Sequence, residues 1–338
     1  MTGAVYDRGY RPYEGARGGQ AAARAALWRA TVRRALGLRR PWRQKVAPFV
    51  LLAIVTVPAV VNVGVKYLTR NTAASDIEFI TYRDYVGVSN ALLVFVALTA
   101  PDIICPDRRQ RVLPLVFSRP LRGLDYVAAK VGAMAAILFA FSFLPQVVLF
   151  VGQMLVSTDG ALTYLRDNAE VLWQVPAAVA LLALYYAVIG VAIASLTTRR
   201  IIAGASIIGL FLVTSITSAV LVGPREEVET VRVGPPAEVD DGGTAGGDGF
   251  VVVSPDGTSQ RTEGLVVRVD RRDPSAAPLL NVAGLPLILR DLVFLGHVHP
   301  SHPMSGLDGG GAMAVGVYVL WVAAGLVVLA RRYHEVER

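Results

Sequence analysis

Six stretches of the chain are apolar almost without interruption, and polar residues gather between them. They are Val46 to Val65, about Val86 to Ile104, Val131 to Val156, Val171 to Leu196, Ile201 to Val222 and Met313 to Ala330. A helix needs about 20 apolar residues to cross a hydrocarbon layer about 30 Å thick, and each stretch meets or approaches that length. Pro58, Pro145 and Pro176 fall in or near these runs, where neighbouring helices let a proline kink a span without ending it. The pattern predicts an all-α polytopic membrane protein with six transmembrane helices.

The remaining segments read differently from one another. Residues 1–45 form a basic leader, within which Ala21 to Arg40 is helix-prone. On a helical wheel Leu27, Trp28, Thr31, Val32, Ala35 and Leu38 share one broad face and Arg29, Arg33 and Arg40 lie opposite, while Arg24, Arg34 and Arg39 spoil the pattern. An interfacial helix on the inner leaflet is expected. The first apolar run starts only at residue 46, so no cleavable signal is expected. Residues 223–312 carry 13 acidic residues against 7 arginines. They open with a Gly-rich linker, continue through the β-branched runs FVVVSPDGTSQ and GLVVRVDRRD, and predict a small β-rich extracytoplasmic insertion. The run LLNVAGLPLILRDLVFLGHVH follows, apolar but broken by Pro286, Arg290 and Asp291; it predicts a re-entrant or interfacial segment before the last span. Residues 313–338 supply that span and a short tail.

Composition supports the same class. Hydrophobic residues make up 54% of the 338 positions and charged ones only 17%, with a mean hydropathy of +0.49. A soluble domain carries about a quarter charged residues, and disorder needs the reverse balance. Cys105 is the single cysteine, so a disulfide scaffold is excluded. It reads as an apolar filler at a membrane edge. The net charge of +7 resides almost wholly in arginine, with only Lys45, Lys66 and Lys130 as lysines, and it clusters beside the apolar runs. That placement suits an anionic membrane surface better than a nucleic-acid groove. With both termini inside, the inner segments hold 22 Lys and Arg and the outer ones 11, of which 7 lie in the long 223–312 segment. The positive-inside rule therefore places both termini in the cytoplasm. The Arg-, Ala- and Gly-heavy usage points to a GC-rich bacterium, and the expected location is its inner membrane.

Catalytic signatures are missing. No Gly-Lys dipeptide exists, so no phosphate-binding P-loop can form, and neither G-x-S-x-G nor H-E-x-x-H occurs. Apart from Asp102, near the cytoplasmic end of the second run, the apolar stretches hold no Asp, Glu, Lys or Arg, which disfavours an ion-coupled carrier. Asn62, Asn90, Gln146 and Gln153 are candidates for a substrate path, though interhelical hydrogen bonding is the commoner role for such residues. His297, His299 and His302 in HVHPSH are weak candidates for a metal site, which needs three or four converging ligands.

The richest stretch is Pro106 to Lys130, PDRRQRVLPLVFSRPLRGLDYVAAK, between the second and third spans. Val112, Leu113, Leu115, Val116 and Phe117 are too apolar for a connection that faces only water. A short amphipathic helix docking on a partner protein accounts for them, with the neighbouring charges orienting the contact. In this order of residues the stretch resembles the first cytoplasmic loop of the permease subunits of type-2 ATP-binding-cassette exporters. Asp107, Ser118, Arg119, Pro120, Leu121, Arg122, Asp125, Tyr126 and Lys130 carry the resemblance, which extends in outline over about 21–222 and 277–335. The acidic insertion at about 224–275 departs from the family's minimal pattern.

The resemblance implies that 106–130 is a coupling helix seated on a separate ATPase. Asp107, Arg108, Arg109, Arg111, Leu115, Phe117, Ser118, Arg119, Pro120, Arg122, Asp125, Tyr126 and Lys130 would make that contact. It further implies a working unit of two permease chains, identical or not, and two ATPase subunits, with ATP and magnesium bound by the ATPases and no catalytic residue in this chain. Charge-free spans suit export of a hydrophobic or amphipathic cargo. A membrane anchor or signalling scaffold with an outer binding module is the alternative reading, and a secondary transporter a more distant one.

Overall fold

In the computed structural model the described residues are 19–37, 42–70, 80–86, 89–118, 121–158, 160–222, four short strands between 230 and 268, 275–300 and 302–337. The packed body is all-helical. In chain order the helices are α1 (Gln20–Ala35), α2 (Trp42–Thr69), α3 (Tyr82–Val86), α4 (Ser89–Arg109), α5 (Leu113–Phe117), α6 (Gly123–Val156), α7 (Ala161–Asp167), α8 (Val171–Leu196) and α9 (Arg200–Val222). After them come α10 (Leu285–Leu295) and α11 (Gly310–Glu337). Six helical stretches are long and apolar enough to cross a membrane: Phe49–Thr69, Tyr82–Arg109, Gly123–Val156, Val171–Leu196, Arg200–Val222 and Gly310–His334. They match the six apolar runs one for one.

Several helices run past the hydropathy reading, α2 to Thr69 and α11 to Glu337 among them, and two of the extensions flank the charged connection. Helix α4 continues to Arg109, through Pro101 and Pro106. Helix α6 begins at Gly123, eight residues ahead of the apolar run expected from Val131. Its start is fixed by Asp125, whose carboxylate accepts the backbone N–H of Arg122 at 3.0 Å; this satisfies one of the otherwise unpaired first-turn donors. Both ends of the 106–130 stretch are thus helical extensions of the spans, leaving 110–122 as the true connection. Helix α4 stops in a Schellman turn: Val112 N–H bonds Asp107 C=O at 3.1 Å and Arg111 N–H bonds Arg108 C=O at 3.3 Å. Arg111 takes the left-handed position at φ 51°, where glycine is usual.

The chain divides into two compact units, one of residues 1–209 and 318–338, the other of 210–317. In the first, α6 packs on α8, α2 and α1, and α4 packs on α8. Phe95 of α4 stacks on Phe141 of α6 with centroids 4.5 Å apart, and Tyr185 of α8 stacks on Tyr318 of α11 at 5.1 Å. Helix α8 comes close to α4 because position 190 is glycine. A Cβ there would lie 2.6 Å from Val96 Cγ1 and 3.3 Å from Ala100 Cβ. Small residues at such crossings let membrane helices approach closely.

In the second unit α10 runs 11 residues, too short to span, and ends on Gly296 at φ 73°. Asn281 Oδ1 accepts from the Ser215 hydroxyl at 2.8 Å and from Gly284 N–H at 2.9 Å, holding the turn ahead of α10. Between 223 and 274 only the strands β1 (Thr230–Val233), β2 (Phe250–Val253), β3 (Ser259–Thr262) and β4 (Leu265–Arg268) are described; β1 pairs antiparallel with β4, and β2 with β3. The other residues of the expected β-rich insertion lie outside the described ones. A folded outer subdomain, like a re-entrant path for α10, therefore remains an expectation.

Candidate functional site

The charged residues of 106–130 separate into a buried root and an exposed crest. Asp107, Tyr126 and Lys130 form the root, all nearly inaccessible. One oxygen of the Asp107 carboxylate accepts from Lys130 Nζ at 2.6 Å and from the Tyr126 hydroxyl at 2.9 Å; the other accepts from Arg34 of α1. Lys130 Nζ also donates to Ile103 C=O at 3.0 Å and lies 5.2 Å from the Tyr126 ring centroid. A buried charge is tolerable only when paired and hydrogen-bonded, and here one carboxylate meets two cations and a hydroxyl. The knot joins α1, α4 and α6 at the end of the bundle that carries the connection. Phe117 of α5 meets Tyr126 edge-on at 6.0 Å, so the short helix rests on the same knot.

Two further attachments hold this end together. Asp125 pairs with Arg24 at 3.3 Å and accepts from Gln20 Nε2 at 2.8 Å, which ties the start of α1 to the start of α6. Arg108 turns inward and donates to the carbonyls of Ser195 and Thr197 at the end of α8. Arginine near a helix C-terminus satisfies carbonyls that the helix leaves open. Asp102 pairs with Arg200 at 2.6 Å, and the Cys105 thiol, buried, lies 3.7 Å from the carbonyls of Ala194 and Thr197.

The crest faces outward. Arg109, Arg111, Ser118 and Arg122 are exposed, Leu115 is 73% and Leu124 64% exposed, while Leu113 and Leu121 turn under. Arg119 and Pro120 lie outside the described residues. Of the thirteen residues expected to meet an ATPase, the structure turns Asp107, Arg108, Tyr126 and Lys130 into the bundle, where they anchor α4, α6 and α8. Asp125 is partly covered and engaged with α1, and Phe117 is half-buried. The surface on offer is therefore narrower: Arg109, Arg111, Leu115, Ser118 and Arg122, joined by Leu124, which composition did not single out.

The polar residues proposed for a substrate path divide likewise. Toward the other end of α6, Gln153 Nε2 donates to Asn62 Oδ1 of α2 at 3.3 Å, and Gln153 Oε1 accepts from the hydroxyls of Tyr82 and Tyr164 at 2.8 and 2.7 Å. These side chains bridge α2, α3, α6 and α7. Gln146 Nε2 reaches Tyr82 C=O at 3.4 Å and lines a lateral pocket of about 250 Å³ with Phe150, Val171 and Pro176. The side chain of Asn90 lies outside the described ones. Among the described residues no group of three His, Cys, Asp or Glu is placed to hold a metal ion. His297 Nδ1 sits 2.9 Å from Leu295 C=O, and His302 Nδ1 accepts from Met304 N–H at 3.3 Å.

The partners that residue patterns missed come from α1, α3 and α7: Gln20, Arg24, Arg34, Tyr82 and Tyr164. A signal for two of them was present, because Arg24 and Arg34 are among the arginines that break the amphipathic wheel. Compared with protein-family models, curated proteins and solved structures, the chain matches none.

Proposed function

We propose that the chain is the permease subunit of an ATP-binding-cassette transporter, an exporter of a hydrophobic or amphipathic cargo driven by separate ATPase subunits. The observation that carries this reading is the connection between α4 and α6: a short helix with an apolar, basic outer crest on a root bonded to three helices. In this reading displacement would pass from α5 to the α1–α4–α6 knot through Phe117, which rests edge-on against Tyr126, and through the Tyr126 hydroxyl bonded to Asp107. Leu115 and Leu124 would fill apolar recesses of the partner, and Arg111, Arg122 and Arg119 would meet its acidic groups.

The working unit in this reading is two permease chains and two ATPases in the bacterial inner membrane, with both termini and the 110–122 connection in the cytoplasm. ATP and magnesium belong to the ATPases. Their closure would push the connection and tilt α4 and α6, so that a path between two permease copies alternates its access. Residues 223–274 would form an outer β-rich insertion and α10 a re-entrant element.

The test is co-purification from native membranes in mild detergent. Wild-type chain should bring down a nucleotide-binding subunit with magnesium-dependent ATP hydrolysis. Leu115→Asp with Arg122→Glu should cut recovered hydrolase about tenfold, as truncation of an interface anchor does, while the chain still inserts. Transport by wild-type chain with no hydrolase present overturns the reading.

A further inference from the structure

Where the ends of α4 and α8 meet the start of α9, an open cleft of about 1150 Å³ is lined by, among others, Asp102, Arg109, Gln110, Thr198, Arg199 and Arg200. Its walls are braced. Arg108 holds the carbonyls at the end of α8, and the Asp102–Arg200 pair fixes the first turn of α9 against α4. That pair consumes one arginine. Arg109 and Arg199 are exposed, and among the described residues no carboxylate pairs with either. The cleft therefore keeps two uncompensated guanidinium groups, with Thr198 and Gln110 as further hydrogen-bond donors.

Its depth relative to the membrane follows from the spans. Three of the six apolar stretches end or begin here, at Arg109, Leu196 and Arg200. The cleft thus lies at the level where hydrocarbon gives way to headgroups. On its apolar side the first turn of α9 presents Ile201, 86% exposed, and Ile202, 46% exposed. Two bare isoleucines beside two bare arginines would be a poor surface for water alone. They are complementary to a molecule with an anionic head and a hydrocarbon tail.

We infer that this cleft is a binding site for the phosphodiester headgroup of an anionic phospholipid. Arg109 and Arg199 grip the phosphate oxygens, Thr198 and Gln110 donate to the headgroup, and the acyl chain leaves along Ile201 and Ile202. The guanidinium fork matches phosphate oxygens in a way a single ammonium does not. The volume accommodates a glycerophosphate head with the start of its chains. The site does not rest on the presence of an ATPase, since all its groups belong to this chain.

Native mass spectrometry of the purified full chain in detergent, with equal amounts of dioleoyl phosphatidylglycerol and dioleoyl phosphatidylcholine, tests it. Wild-type chain should prefer phosphatidylglycerol by about thirtyfold, the size expected from two basic residues at a membrane surface. Arg109→Gln with Arg199→Gln should abolish that preference. Arg29→Gln with Arg33→Gln, an equal charge loss on exposed positions of α1, should retain it. Thr198→Glu, one exposed side chain changed to an anion, should also abolish it, and decides the matter if the double variant is not monodisperse. Equal losses in cleft and control variants overturn the site. So does an unchanged preference in Thr198→Glu. Displacement of the lipid by an equal concentration of free glycerol 3-phosphate overturns the membrane origin of the ligand.

Discussion

Arg24 and Arg34 lie where an ideal surface helix would place apolar residues, and both are consumed in ion pairs: Arg24 with Asp125, Arg34 with Asp107. Lys130 tells the same story from the other side. Its charge makes it look like the last residue of a solvated loop, yet it is 2% exposed inside α6. A lone charge is costly there; a charge whose ammonium meets Asp107 and a backbone carbonyl is not. Removing one member should thus be worse than removing both. Lys130→Met or Asp107→Asn alone should cost about 3–5 kcal/mol, the range for stranding one partner of a buried pair. Asp107→Leu with Lys130→Met should recover part of that loss. Thermal unfolding of the detergent-purified variants checks the order; equal loss in single and double variants would refute the pairing.

Among the elements, the six spans were legible because burial in lipid demands a long unbroken apolar run and nothing else in the chain mimics one. Their ends near the connection were not, because hydropathy stops at the first charge while the helix does not. Asp125 and Asp107 let α6 and α4 run on by meeting the charges and the open N–H groups locally. Helix–helix spacing was equally hidden. Gly190 is one glycine among 32 in the sequence, and only its position against Val96 gives it a role. Gly190→Ala should destabilise the bundle by about 1–3 kcal/mol, the usual cost of overpacking, with Val96→Ala restoring much of it. Gly209→Ala, which would meet nothing within 4 Å, should be neutral or slightly favourable. Melting temperatures of the four proteins separate these outcomes.

At the scale of the whole molecule, the arginine distribution gives a direction that labelling can read. In a Cys105→Ala background, Leu162→Cys on α7 should react with a membrane-impermeant maleimide in intact cells. Gln110→Cys in the connection should react only after permeabilisation. Both positions are exposed, Leu162 at 79%, so accessibility is limited by the membrane and not by packing. The reverse pattern would invert the topology and remove the connection from any cytoplasmic hydrolase.

Read by itself, the chain determined that it has six runs long and apolar enough to cross a membrane, where its arginines gather and which connection is chemically unusual. Those properties follow from transfer free energies and charge counts, sums over residues that need no partner. Tertiary structure alone decided which charges are spent and which are offered: Asp107, Arg108 and Lys130 bind the bundle together, while Arg109, Arg111 and Arg199 face outward. The difference rests on pair distances of about 3 Å between residues far apart in the chain, and no local pattern of polar and apolar positions contains them.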